Sequence, residues 1–175
     1  SGKRKVADPR YMKGTHQNKK NYSKNDICKI FNWDVNKPII LIFSHSLIDG
    51  NFTCGSRIFK DNLTWLRETL LGIKNIDKFN WMIKSHPMDW YYKFSKTTTE
   101  NEYKKIAGKI NHIKICPKNI SSISLSKIAK AIVTSHGSVA VEYVCLGIPA
   151  ISAGRISFGD LNINYRAKTK KKYFY

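Results

Sequence analysis

Short apolar segments alternate with amphipathic segments over most of the chain, an alternation typical of an α/β domain. The apolar segments have the length and the β-branched content of buried strands. In chain order they are PIILIF (38–43), FNWMIK (79–84), HIKIC (112–116), AIVTS (131–135) and PAISA (149–153). Apolar runs of this kind indicate strands that are covered on both faces. The pattern therefore predicts a Rossmann-like, doubly wound parallel sheet of about five strands.

Amphipathic segments between these strands predict the helices that cover the sheet. They are residues 57–73, about 97–107, 121–131 and 137–147, and a further short helix is expected at 24–31. Ser121 or Ser122 is suited to cap the start of the helix over 121–131. Gly147 is suited to the end of the helix that begins near Gly137.

The pattern also suggests how the chain is divided. Its 175 residues are enough for one domain with a proper core. The alternating strands and helices predict this domain over residues 37–155. Residues 1–36 are polar and basic and predict an arm or linker, while residues 156–175 predict a basic tail. We expect the chain to be a piece of a larger protein.

Composition and charge narrow the class of protein only in part. A hydrophobic fraction of 42% argues against general disorder, and no apolar run approaches the roughly 20 residues of a membrane span. The four cysteines form no C-x-x-C pair, which favours buried free thiols and a cytoplasmic location. The formal charge of +19 indicates an anionic partner such as nucleic acid, a phosphorylated substrate or a membrane surface. Much of this charge lies near both ends of the chain, so charge alone does not choose among these partners.

Polar loops that contain three of the five histidines follow the predicted strands directly. These loops are residues 44–56, 84–92 and 135–138, called here the first, second and fourth loops. They contain His45, His86 and His136, respectively. Because ligands of doubly wound sheets bind beyond the carboxyl ends of the strands, we expect these histidines to gather at one edge of the sheet. The loops contain no ligand-spaced pair, which argues against a metal site.

The fourth loop has the features of a phosphate-binding loop. A helix that starts near Gly137 directs backbone N–H groups toward the loop, and Ser135 and Ser138 add hydroxyl groups. Glu142 lies one helical turn after Ser138, where a carboxylate can accept hydrogen bonds from ribose hydroxyls. The alternative interpretation is that the serines only cap the helix and that Glu142 faces solvent.

The second loop places two basic residues at the end of an apolar strand. Lys84 and His86 follow this strand, and Pro87 favours an extended backbone at His86. An imidazole donor at this place is suited to a phosphoryl oxygen of a leaving nucleotide. The alternative is a histidine that bonds only to the backbone of its own loop.

Two further groups leave both interpretations open. In the first loop, His45 and Asp49 either reach the crevice, with His45 as a phosphate or acceptor contact, or bond to the loop backbone. The aromatic residues of the second loop either stack on a base or sugar or pack beneath the loop. These residues are Trp90, Tyr91 and Tyr92.

Several well-known signatures are absent from the sequence. It has no G-x-x-x-x-G-K-[ST], G-x-G-x-x-G or G-x-S-x-G motif, which disfavours an NTPase, a dehydrogenase and an ordinary esterase. A basic nucleic-acid-binding module would use lysines on phosphates and aromatic residues on bases. The absence of RNP-type, KH and helix-turn-helix signatures disfavours nucleic acid as the partner.

Four stretches, in this order, resemble the C-terminal half of bacterial surface-polysaccharide transferases. They are PIILIFSHSLIDGN, FKDNLTWLRETL, WMIKSHP and AIVTSHGSVAVEYVCLGIPAISAG, which together extend over roughly residues 38–155. The group comprises GT-B enzymes: capsule biosynthesis proteins that transfer sugars such as Kdo from CMP donors, and the related CDP-glycerol glycerophosphotransferases. The His-Pro dipeptide after a strand and the serine-rich loop before a helix with a glutamate carry the resemblance.

The resemblance implies that the chain is one half of a GT-B enzyme, the half that binds the nucleotide donor. It implies that His86 contacts the phosphate of a CMP- or CDP-linked donor and that Glu142 binds ribose or lies near it. His45 matches a histidine in the first loop of the family, and transfer in these families needs neither a metal nor another cofactor. The catalytic candidates are therefore His86 and His45, and the donor-binding candidates are Lys84, Ser135, His136, Gly137, Ser138 and Glu142.

The resemblance also implies partners. They are a nucleotide-activated sugar, a polysaccharide or lipid-linked acceptor, and an N-terminal GT-B domain that these 175 residues do not contain. We therefore expect the chain alone to bind donor without turning it over. The positive charge is compatible with peripheral association with an anionic inner membrane. The alternatives are a glycerophosphotransferase, an enzyme resembling UDP-sugar 2-epimerases, and a basic nucleic-acid-binding module.

Overall fold

The computed structural model describes residues 19–47, 58–87, 89, 97–156 and 161–174. The helices of these residues are α1 (Lys24–Phe31), α2 (Asn62–Ile73), α3 (Thr99–Ile106), α4 (Ser122–Ile128), α5 (Val139–Cys145) and α6 (Lys170–Phe174). The strands are β1 (Ile39–Phe43), β2 (Asn80–Lys84), β3 (Ile113–Ile115), β4 (Ala129–Thr134), β5 (Ala150–Ser152) and β6 (Tyr165–Arg166). None of the described helices has both the length and the apolar character needed to cross a bilayer.

The strands form one six-stranded sheet in the order β3-β2-β1-β4-β5-β6, and each neighbouring pair is parallel. The predicted fold class, a Rossmann-like α/β domain, is confirmed. All five apolar runs that were predicted as strands are strands. The sixth strand was not predicted, because its two residues carry no apolar run.

The sheet separates two hydrophobic cores. Alternate residues of β1 point to opposite faces, so that Leu41 lies in one core and Ile42 in the other. The Leu41 core includes buried residues of α1, α4 and α5. The Ile42 core includes buried residues of α2 and α3 and partly buried aromatic residues of α6. Helices therefore cover both faces, as the continuous apolar runs predicted.

Local capping explains where several elements begin and end. The side chain of Asp61 accepts a hydrogen bond from the Thr64 N–H at 2.6 Å, so that α2 begins at residue 62 rather than at the predicted 57. Of the two serines considered for the start of α4, Ser121 is the cap. Gly147 follows α5 with a φ of +76°, a conformation that glycine adopts without strain.

The sequence predicted an arm or linker before the domain and a basic tail after it. In the structure, the described parts of both segments pack against the domain. In α1, Ile27 and Cys28 are buried in the Leu41 core. In α6, the Tyr173 hydroxyl accepts a hydrogen bond from Trp65 Nε1 at 2.8 Å. These segments are polar in sequence because few of their residues reach the core, and those few are spaced too widely to form an apolar run. The domain limits at residues 37 and 155 stay a prediction.

The cysteines agree with the expectation in part. Cys28 and Cys116 are free and buried, and burial raises the pKa of the Cys116 thiol to about 11. Cys145 is exposed at the end of α5, so its expected burial is wrong. The apolar composition of α5 misled because Cys145 is its last residue and lies two positions after the buried Tyr143, on the opposite face of the helix. Cys54 lies outside the described residues.

Replacing Glu102 by glutamine should flatten the pH dependence of stability. Glu102 is 1% exposed, and its carboxylate lies 2.6 Å from Arg67 Nε and 3.1 Å from Lys105 Nζ. The Arg67 hydrogen bond lowers the pKa of Glu102 below its ordinary 4.5. Because the folded pKa is the lower one, the stabilisation is present above the unfolded pKa and is lost as the pH falls through the folded pKa. Glu102→Gln should lower the free energy of unfolding by about 1–2 kcal/mol at pH 7.

Urea unfolding between pH 7 and pH 3 measures this effect. The difference between wild type and Glu102→Gln should shrink as the pH falls below 4.5. Glu100→Gln is the matched control, since Glu100 lies on the same helix and pairs with Lys118 at the surface. Parallel pH profiles for wild type and Glu102→Gln would contradict the assignment.

Candidate functional site

The sheet has its topological switch point between β1 and β4. The chain leaves β1 toward α2 on one face of the sheet, and it leaves β4 toward α5 on the opposite face. The two connections separate there, which opens a crevice beyond the carboxyl ends of these strands. The fourth loop and residues 44–47 of the first loop follow these two strands, and the second loop follows the neighbouring strand β2.

Three histidines stack at this edge. The His45 ring lies between the other two, with ring centroids 4.2 Å from His136 and 5.5 Å from His86. The ring planes are inclined by 27° and 22°, respectively. The structure thus brings together the histidines of all three loops, as expected if parallel strands end at the same edge. The group presents several imidazole nitrogens that can donate or accept protons.

A buried asparagine lies beneath the stack and links the first and fourth loops. Asn62 is 0% exposed; its Nδ2 donates to the Ser46 carbonyl oxygen at 3.0 Å and lies 3.3 Å from His45 Nδ1. Its Oδ1 accepts a hydrogen bond from Ser135 Oγ at 3.1 Å. Ser135 Oγ in turn lies 2.9 Å from His136 Nδ1. The amide of one residue therefore connects two of the stacked rings.

The sequence interpretation missed Asn62, although a signal was present. Asn62 lies four residues before Leu66 and eight before Leu70, which are both fully buried. Residues at this spacing share one helical face. A polar side chain on the buried face of an amphipathic helix is hydrogen-bonded inside the protein, which marks Asn62 as a residue with an internal partner.

The residues of the fourth loop divide into a buried and an exposed group. Ser135 and His136 are 3% and 8% exposed, and the Ser135 hydroxyl is engaged by Asn62. Ser138 and Glu142 are exposed and lie 3.5 Å apart through Oγ and Oε1. The Ser138 side chain makes no capping bond to α5. The structure therefore buries His136 within the histidine stack and Ser135 beside it, while Ser138 and Glu142 face outward.

Gly137 has a packing role in the fourth loop. A Cβ atom at this position would lie 3.1 Å from Thr134 Oγ1 and 3.4 Å from a methyl group of Val139. The Gly137 N–H also donates to Thr134 Oγ1 at 3.4 Å. Thr134 Oγ1 donates in turn to the Phe43 carbonyl oxygen at 3.2 Å, which ties the end of β4 to the end of β1.

The described residues of the second loop, which are Lys84 to Pro87 and Asp89, are partly buried. The carbonyl oxygen of Lys84 accepts a hydrogen bond from the Ser44 N–H at 3.0 Å, which joins the second loop to the first. The Lys84 ammonium lies near Lys19, where burial first and the Lys84 charge second lower the pKa of Lys19. Lys84 thus adds positive charge at the carboxyl end of β2.

A partly buried carboxyl group, that of Asp89, belongs to the second loop. Burial raises the pKa of Asp89, whereas the hydrogen bond from the Thr99 N–H at 3.2 Å and the nearby His45 act in the opposite direction. The Asp89 N–H donates to the His86 carbonyl oxygen at 3.0 Å. No local sequence pattern marks Asp89. Its interaction with His45 arises because the first and second loops meet in the tertiary structure.

Some predicted contacts fall outside the described residues. These are Asp49 of the first loop and Trp90, Tyr91 and Tyr92 of the second loop. Over the described ranges, no group of three or more histidine, cysteine, aspartate or glutamate side chains is arranged to hold a metal ion.

The parallel sheet and its flanking helices form a Rossmann-like α/β fold, and solved structures with GT-B-like folds share it. The chain is similar to the β-Kdo 2,7 transferase of KpsC from Thermosulfurimonas dismutans, with 14% identity and a TM-score of 0.54, over 83% of this chain and 46% of that one. It is similar to the β-Kdo 2,4 transferase of the same KpsC with 8% identity and a TM-score of 0.54, over 95% and 58% of the two chains. No family model and no curated protein matches the sequence.

A third similar structure is the UDP-GlcNAc 2-epimerase of Methanocaldococcus jannaschii in complex with UDP-GlcNAc and UDP. It is 18% identical with a TM-score of 0.50, over 85% of this chain and 39% of that one. The chain thus spans about half the length of these proteins. At such low identities the likeness shows the fold, which agrees with the resemblance seen in the sequence.

Proposed function

We propose that this chain is the donor-binding domain of a bacterial surface-polysaccharide glycosyltransferase that uses a CMP- or CDP-activated donor. The observation that carries the proposal is the stack of His45, His86 and His136 at the topological switch point. Ligands of doubly wound sheets bind at this place. Imidazole N–H groups there offer hydrogen bonds to an anionic phosphate.

In the proposed mechanism, protein donors offset the charge that develops on the leaving nucleotide. His86 and His45 donate to its phosphate oxygens, and the positive charge of Lys84 assists them. Such donors act more strongly in a crevice that excludes water than they would in bulk solvent. His136 is buried, so in this proposal it supports His45 from below rather than contacting the donor.

The exposed residues of the fourth loop take the remaining roles. Gly137 and Ser138 bind phosphate through the backbone N–H of the loop and the Ser138 hydroxyl. Glu142, which is exposed in the first turn of α5, accepts hydrogen bonds from the ribose hydroxyls. Ser135 is buried and bonded to Asn62, and therefore acts on phosphate only indirectly.

Turnover in this proposal requires partners that these residues do not supply. A second Rossmann-like domain binds the polysaccharide or lipid-linked acceptor, and the chain alone holds donor without transferring it. The charge of +19 suits peripheral association with the anionic surface of the inner membrane, on its cytoplasmic side.

A nucleotide titration of the 175-residue chain tests the proposal. Calorimetry with CMP, CDP, UMP, UDP, GDP and a short RNA at moderate salt measures the affinities, and amide NMR shifts locate the site. We expect CMP or CDP to bind at least about tenfold more tightly than the uridine and guanosine nucleotides, a difference of about 1.4 kcal/mol. The largest shifts are expected in the second and fourth loops, and 2′-deoxy-CMP should bind more weakly than CMP.

Other outcomes would favour other functions. Selectivity for UDP would favour an enzyme that resembles UDP-sugar 2-epimerases. Salt-dependent binding to RNA without mononucleotide binding would favour a basic nucleic-acid-binding module and would refute the donor domain.

A further inference from the structure

The hydrogen bonds beneath the histidine stack determine where protons lie. A serine hydroxyl has one hydrogen to donate. Ser135 donates it to Asn62 Oδ1 at 3.1 Å, so its contact with His136 Nδ1 at 2.9 Å must be accepted by the serine oxygen. His136 therefore carries a proton on Nδ1.

The orientation of the Asn62 amide follows from a neighbouring carbonyl group. Its Nδ2 lies 3.0 Å from the Ser46 carbonyl oxygen, which can only accept. A flipped amide would place two acceptor oxygens against each other there. The nitrogen of Asn62 therefore faces the first loop, and its oxygen faces the fourth loop.

His45 is the residue on which this orientation acts. Its Nδ1 lies 3.3 Å from Asn62 Nδ2 and 3.4 Å from the Ser46 carbonyl oxygen. An amide nitrogen only donates, so the first contact requires an Nδ1 without a proton, whereas the second contact requires an Nδ1–H. The Asn62 amide has a second N–H beside the one that it donates to the Ser46 carbonyl, and the shorter of the two contacts offers it His45 Nδ1 as an acceptor, which favours the first arrangement in the neutral ring.

We propose that Asn62 is a positioning residue that keeps the proton of neutral His45 on Nε2. The ring nitrogen that does not face Asn62 is then an N–H donor, and an anion needs a donor at this position. Through Ser135 the same amide places the proton of His136 on Nδ1, so the two stacked rings carry opposite tautomers. That the anion is a nucleotide phosphate rests on the proposed function, whereas the tautomers do not.

The tautomers can be observed directly by NMR. Long-range proton–nitrogen correlations of the histidine-labelled 175-residue chain, at a pH where the rings are neutral, identify the protonated nitrogen of each ring. His45→Gln and His136→Gln assign the signals. We expect the Nε2–H form for His45 and the Nδ1–H form for His136. A wild-type His45 that is mainly protonated on Nδ1 would overturn the proposal without any variant of Asn62.

Variants of Asn62 test the cause. Asn62→Asp places an acceptor beside His45 and should move the His45 proton to Nδ1 or leave the ring doubly protonated. Asn80→Ala is the matched control, because Asn80 is 2% exposed and its Nδ2 donates to the Asp34 carbonyl oxygen at 3.0 Å, near the opposite edge of the sheet. The control should leave the His45 tautomer unchanged. The same tautomer in Asn62→Asp as in wild type would refute the positioning role.

Nucleotide affinity separates this inference from the proposed function. Asn62→Ala should raise the Kd for CMP about tenfold, as expected for a weakened hydrogen bond to a charged group, and Asn80→Ala should leave it unchanged. Failure of both CMP and CDP to bind the wild type would refute the proposed function, while the tautomer of His45 would still decide the role of Asn62. A shifted tautomer with an unchanged Kd would refute the part of the inference that makes His45 the phosphate donor.

Discussion

Replacing Tyr173 and Phe174 together by alanine is expected to lower the free energy of unfolding by about 3–5 kcal/mol, the range measured for large aromatic truncations in cores. The Tyr173 ring lies 5.3 Å from the Phe59 ring, and its hydroxyl accepts from Trp65 Nε1. Burial raises the pKa of this hydroxyl well above its usual value. Truncation also leaves the Trp65 N–H without its partner inside the core, which adds a desolvation penalty.

Phe174 contributes through a contact that only glycine permits. A Cβ atom on Gly72 of α2 would overlap the Phe174 ring, so the ring rests directly on the helix backbone. Urea unfolding at pH 7 measures the loss. Lys171→Ala is the control, because Lys171 is exposed on the same helix and its replacement should change stability by less than about 0.5 kcal/mol. A loss below about 1 kcal/mol in the double variant would mean that α6 does not belong to the core.

Replacing His86 by alanine is expected to weaken CMP binding by about tenfold to a hundredfold. A hydrogen bond to a charged group contributes about 1.5–3 kcal/mol, and each 1.4 kcal/mol corresponds to a factor of about ten in Kd. The variant also removes one ring of the stack, 5.5 Å from His45. Calorimetric titration with CMP measures the change. His86→Gln should recover part of the affinity, because its amide keeps an N–H donor.

A matched control separates this effect from the general loss of a histidine. His112 precedes β3 near the opposite edge of the sheet, where its Nε2 lies 3.4 Å from the Ile73 carbonyl oxygen. His112→Ala should bind CMP like the wild type. If His86→Ala also binds CMP with unchanged affinity, His86 does not contact the donor phosphate.

Much of the fold could be predicted because its determinants are local. A strand such as β1 is buried on both faces, so nearly every residue is apolar and the run is visible in the sequence. Caps such as Ser121 act within one helical turn and are visible for the same reason. The sequence pattern did not predict β6 and α6. Strand β6 has only two residues, and α6 contacts the core through only two aromatic rings, so neither segment forms a periodic apolar pattern.

The candidate site was predictable in its loops but not in its connections. The alternation of strands and helices placed His45, His86 and His136 at strand ends, and the parallel sheet brought them together. The amide of Asn62 and the carboxyl group of Asp89 became visible only through their distances to residues far away in the sequence. The catalytic and donor-binding roles themselves stay predictions.

The sequence by itself determined the class of fold and the loops from which a site can be built, because burial of apolar runs and the direction of parallel strands follow from pattern alone. The tertiary structure decided which side chains of these loops are exposed and which are buried. Ser135 and His136 lie within three residues of Ser138 in the chain, yet the first two are buried and the third is exposed. The difference arises because Asn62, from a helix on the other side of the switch point, reaches under the fourth loop and accepts a hydrogen bond from Ser135, which in turn contacts His136.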